Sequence, residues 1–292
     1  LFSGQRAFDQ VAFMDRYFRS PGNDGFIARI RRVEETLKAA GYVEQDKAKP
    51  IDRLTYRVER YPMANAAWEP QDASLTIVGA KTPVLAFASN RNMVATNSYS
   101  TPAVGVEGEV VRTAAGTPAA LDSANVAGKI VMLDGGAGRV FAEAVKRGAL
   151  GVLAYSMPAY TQPEKNTHSI QFSGIASDTV HKAWAIMLSF DARKQLVDAM
   201  KQGPVRVRVR IRTRFVSPAT EFAVVAEVRG SALPDERFVY SAHVQEPGAN
   251  DDASGVGALT EMARTAAELV RTKRADPRRT ITMLWGQEIR VT

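Results

Sequence analysis

Cysteine is absent from the 292 residues. That excludes disulfides and thiolate metal sites, and leaves only nitrogen and oxygen side chains to hold a cation. Long hydrophobic runs are missing as well. No stretch reaches the ~18 consecutive apolar residues that a membrane-spanning helix needs, so no membrane span is expected. The chain opens Leu1-Phe2-Ser3 with no Met and no legible signal peptide, as it would if a leader had been removed. No internal repeat or low-complexity segment is present.

What is present is ordinary globular material: 45% hydrophobic and 24% charged residues. The length suits one large domain or two smaller ones. A chain of this size buries roughly three quarters of its unfolded surface. The net charge of +7 raises the question of an anionic partner, and solubility is the reading adopted. The charge concentrates in residues 205–215, where Arg206, Arg208, Arg210, Arg212 and Arg214 alternate with Val207, Val209, Ile211, Thr213 and Phe215. Period-two alternation gives a strand with one apolar and one arginine face. The reading adopted is a half-exposed strand whose charges discourage edge pairing. The stripe lacks the interleaved aromatics of a single-stranded nucleic-acid site, so no nucleic-acid partner is expected.

Along the chain, Phe8, Val11, Met14 and Phe18 fall at helical spacing within 5–20. The segment 20–24 breaks that helix and can cap the next, in which Ile27, Ile30, Val33 and Leu37 share a face. Gly41 is the expected C-cap, and a strand is expected at 54–60. From 83 to 200 short apolar runs alternate with Gly, Pro, Asn and Ser clusters. Strands are expected at 129–133, 150–155 and 184–190, with helices at 141–147 and 191–200. After Ser217-Pro218 the pattern predicts strands at 222–229 and 237–243, a loop at 244–252, a helix at 253–271 and a strand at 280–286. That helix carries Val256, Leu259, Met262, Ala263 and Ala266 on one side. Strands alternating with long helices imply a layered α/β sheet.

The chemistry concentrates near residue 250. An apolar strand, Phe238-Val239-Tyr240-Ser241-Ala242, delivers His243 at its carboxyl end. The loop Pro247-Gly248-Ala249-Asn250 then places Asp251 and Asp252 just before a helix. Open α/β sheets build their sites at the carboxyl ends of strands. The strand ending in Gly286-Gln287-Glu288 brings another carboxylate to the same edge. One imidazole and two carboxylates suit a borderline divalent cation such as zinc. His168 and His181 lie outside any such grouping and read as ordinary surface or core residues.

His243, the run Gly248-Ala249-Asn250-Asp251-Asp252-Ala253-Ser254-Gly255 and the strand ending in Glu288 resemble the family of co-catalytic zinc aminopeptidases. That family also includes glutamate carboxypeptidases and the transferrin receptor fold. Asn125-Val126-Ala127-Gly128-Lys129-Ile130-Val131, followed by the run from Ala142 to Val152, resembles the family's inserted protease-associated domain. The resemblance implies a mixed β-sheet flanked by helices, formed by 1–82 and 201–292 and interrupted by a β-rich protease-associated domain at 83–200. It implies two zinc ions, a peptide substrate, and a secreted or periplasmic location. His243 would bind one zinc and Asp251 would bridge both. Glu288 would be a ligand, the general base, or both, while Asp252 caps the helix at 253.

Three departures accompany the resemblance. Where the family has an acidic residue two after its first histidine, to orient the imidazole, this chain has Gln245, which still accepts a hydrogen bond but without charge. Where it has two adjacent glutamates, this chain has Gln287-Glu288, and its continuation Ile289-Arg290-Val291-Thr292 lacks the family's glycine. The family also takes an aspartate and a second histidine from later segments, and no such pair precedes Thr292. The expected function is a zinc-dependent aminopeptidase. The alternatives are a receptor-like binding module that has lost the chemistry, and a carboxypeptidase or amidohydrolase on the same scaffold.

Overall fold

The structure is a computed structural model that describes residues 1–113 and 116–288. The continuation at 289–292 lies outside the described residues. In chain order the elements are α1 (Gly4–Met14), α2 (Asp24–Ala40), β1 (Val43–Glu44), β2 (Leu54–Pro62), β3 (Ala67–Ile77), β4 (Leu85–Ala86), β5 (Val106–Thr113), α3 (Pro118–Ser123), β6 (Ile130–Asp134), α4 (Ala137–Lys146), β7 (Gly151–Tyr155), β8 (Ala185–Met187), α5 (Phe190–Met200), β9 (Arg206–Val216), β10 (Thr220–Val228), β11 (Leu233–His243), α6 (Gly255–Arg271) and β12 (Arg279–Gly286). Among the described residues, no helix is long and apolar enough to cross a membrane. The chain divides into two compact units, residues 1–69 with 215–292, and residues 70–214. The second unit is wider than the expected 83–200, because β3 and β9 join the sheet of the segment they flank.

The first unit is built on a five-stranded sheet in the order β1-β2-β10-β12-β11. β10 runs antiparallel to both neighbours, while β11 pairs parallel with β12 and forms an edge. α2 is capped at its start by Asn23, whose side chain accepts the Phe26 N–H at 2.9 Å. It ends at Gly41 in the left-handed conformation, φ 98°, which a residue without Cβ adopts at least cost. Its apolar face buries Phe26, Ile30, Val33 and Leu37 against Tyr56, Val224, Val256, Leu259, Met283 and Trp285. Ile27, expected on that face, is only half-buried.

Several expectations are revised here. α1 stops at Met14, so Phe18 packs from the following turn rather than from the helix, and Phe8 points to solvent. Met262 is exposed; the buried stripe of α6 runs through Val256, Leu259, Ala263 and Ala267. Phe238, Val239 and Tyr240 are 56%, 55% and 44% exposed, since β11 is an edge strand among the described residues.

The second unit holds a seven-stranded sheet in the order β4-β3-β9-β5-β6-β7-β8. β5 through β8 run parallel to one another and β9 runs antiparallel to β5. The expected strand at 184–190 is confined to β8, because Ser189 caps a helix that already begins at Phe190. β9 alternates exposed arginines with buried Val207, Val209 and Ile211. It is an interior strand and not an edge, so its arginines do not guard against edge pairing. One of them, Arg208, lies opposite Glu107 on β5 and forms an ion pair with it.

Candidate metal centre

β11 and β12 carry their polar ends to one edge of the first sheet. Their parallel register sets His243 opposite Gly286, and pairing continues one step further as the Val244 N–H donates to the Gly286 carbonyl at 2.7 Å. Glu288 is therefore two residues beyond the position facing His243. Between β11 and α6 the chain makes a short wide turn, Asn250–Ser254, in which Asp251 and Asp252 are non-helical and joined by a cis peptide bond.

That turn brings Asp251 to His243, with His243 Nε2 3.1 Å from Asp251 Oδ1. The His243 side chain is 15% exposed and that of Asp251 72%, so the pair sits at the mouth of the edge. His243 Nδ1 is buried and has no hydrogen-bond partner. A histidine in a purely structural role has its buried nitrogens satisfied; this one does not.

Asp252 does a different job. Its Oδ2 accepts the His243 backbone N–H and its Oδ1 accepts the Gly255 N–H, each at 3.1 Å. It ties the end of β11 to the start of α6, a cap as expected, two residues further on than the sequence places it. Burial pushes its carboxyl above the ordinary range, and Asp251 adds to that, while His243 and the two backbone donors pull it down.

Gln245 is buried, and its Oε1 accepts the Glu288 backbone N–H at 2.9 Å. The amide expected to orient the imidazole is thus used in positioning the strand end that carries Glu288, which leaves Nδ1 without an acceptor. Glu288 is exposed, and its carboxylate is not among the ligand atoms that converge.

The atoms that do converge include one that motif reading misses. His243, Glu246 and Asp251 each offer a ligand atom within 4.8 Å of the others. The spacing His243-Val244-Gln245-Glu246 is the only hint in the sequence. His181 lies apart on an exposed surface, bonded through Nδ1 to Asp178 at 2.8 Å. His168 has its carbonyl bonded to Asn90.

One imidazole and two carboxylates, converging at the carboxyl end of β11, fit a divalent cation of borderline hardness. The comparisons agree. Residues 223–288, which include the whole site, match the model of Peptidase family M28. Among solved structures the fold is similar to a Peptidase M28 precursor from Shewanella amazonensis, with TM-score 0.66 and 20% identity over 97% of this chain and 64% of that one. It is similar to BSAP, a zinc aminopeptidase from Bacillus subtilis, with TM-score 0.58 and 16% identity over 98% and 61%. An aminopeptidase from Aneurinibacillus sp. strain AM-1 matches with TM-score 0.55 and 18% identity over 97% and 62%. The chain thus spans under two thirds of the length of these relatives. No curated protein sequence matches it significantly. The resemblance to the co-catalytic zinc aminopeptidases is supported by the family model and by the shared fold, whereas nothing in the comparisons singles out a protease-associated domain.

Proposed function

We propose, from the Peptidase family M28 match over residues 223–288 and the fold shared with zinc aminopeptidases, that this protein is a zinc-dependent metallo-exopeptidase, and specifically an aminopeptidase. One observation carries the reading: His243 and Asp251, eight positions apart, meet at 3.1 Å at the carboxyl end of β11. His243 would hold one zinc through a neutral ring nitrogen, and Asp251 would offer one carboxylate oxygen to each of two ions. Bound zinc would lower the pKa of a water toward neutrality and polarise the scissile carbonyl.

The remaining roles belong to the chain. Gln287 is a neutral amide and takes no proton, so Glu288 is the carboxylate assigned to accept the proton of the attacking water and pass it to the leaving amine. Gln245 positions it by accepting its backbone N–H. Asp252 keeps β11 and α6 in register, so that His243 and Asp251 stay at contact distance. The segment resembling a protease-associated domain lies in the unit 70–214 and belongs to this proposal.

The test is hydrolysis of aminoacyl 4-nitroanilides by the protein with zinc, beside N-acetylated analogues and substrates cleaved from the carboxyl end. The reading expects turnover of free-amine substrates only, abolished by a chelator and restored by zinc. Glu288→Gln should lower kcat by about 100-fold or more. Turnover restricted to carboxyl-end substrates would favour the carboxypeptidase. A second reading, a binding module without chemistry, is favoured by the use of Gln245 on the Glu288 backbone, which leaves His243 Nδ1 unoriented. It expects no turnover and the same stability with and without zinc.

A further inference from the structure

We propose that Glu246 is a metal ligand and that Arg19 is the positioning residue that keeps it in place, so that His243, Glu246 and Asp251 make a three-ligand set within one strand end and its loop. The inference rests on the metal-site reading above and adds a ligand that the motif does not supply.

Three observations on separate atoms carry it. Ligand atoms of the three residues all fall within 4.8 Å of one another. Three protein ligands with an open fourth position is the usual arrangement of a catalytic zinc.

The backbone of Glu246 is in the left-handed region, φ +81°. A non-glycine residue holds that conformation where the surroundings impose it.

The surroundings that impose the conformation are the atoms of Arg19. This arginine is fully buried. Its Nε donates to the Val244 carbonyl and its Nη2 to the Gly248 carbonyl, both at 2.9 Å. Its Nη1 donates to the Met14 carbonyl at 2.9 Å, anchoring it to the end of α1. Its own carbonyl accepts the Glu246 N–H at 2.7 Å. Arg19 therefore grips residues 244, 246 and 248, which bracket the carboxylate and leave it facing His243 and Asp251.

The test is metal affinity, read by zinc calorimetry and by the visible absorption of Co2+ in the intact chain, with circular dichroism as the check on folding. Glu246→Gln should weaken zinc binding at least about tenfold and alter the Co2+ spectrum. Arg19→Met should weaken it in the native background, yet add nothing in the Glu246→Gln background, since its effect passes through Glu246. Arg19→Lys, which keeps the charge and part of the bonding, should restore some affinity and serves if Arg19→Met does not fold. Native affinity in Glu246→Gln, alongside loss in His243→Ala, would overturn the ligand assignment and leave the metal site standing. Equal affinity in native protein and His243→Ala would instead bring down the metal-site reading itself. Equal losses from Arg19→Met in both backgrounds would overturn its positioning role.

Discussion

At the scale of the residue, the site depends on contacts that tolerate no extra atoms. A Cβ on Gly255 would come within 2.1 Å of Asp252 Oδ1, the carboxylate that ties His243 to α6. Gly255→Ala should destabilise the fold by about 1–3 kcal/mol and weaken zinc binding with it, as urea denaturation and metal titration would both record. Asp134 is the clearest electrostatic case. Arg193 first, then Arg112, hold its carboxyl down to about 2 against the opposing effect of burial. Its folded value lies below the unfolded value of about 3.9, so its stabilisation is complete above about pH 4 and is lost as pH falls toward 2. Asp134→Asn should cost up to about 1 kcal/mol at pH 7, because the pair is partly exposed, and should flatten the fall in stability measured between pH 4 and pH 2. The meeting of His243 and Asp251 was legible in sequence because they belong to one short motif on a strand, loop and helix. The approach of Glu246 to them was not, because it depends on a left-handed backbone and on an arginine more than two hundred positions away.

At the scale of the element, amphipathic periodicity read well wherever burial is one-sided. α2 and β9 show it: Ile30, Val33 and Leu37 are buried in one, and Val207, Val209 and Ile211 in the other. It read poorly where partners decide the outcome. The arginines of β9 suggest charges that discourage edge pairing, yet β9 lies between β3 and β5.

At the scale of the whole molecule, the chain forms two compact units, and Trp285 is fully buried in the first. Trp285→Ala should cost that unit about 3–5 kcal/mol, as urea denaturation would record. The fold class was legible because strand and helix periods alternate in the order a layered sheet requires. β3 was not read from the sequence, and its place beside β9 is set by pairing. The proposed activity requires a divalent cation held by His243 and Asp251, and zinc stoichiometry and affinity are its sharpest test. Native protein should bind zinc and a folded His243→Ala variant should lose it; the same zinc content and affinity in both proteins would rule the site out.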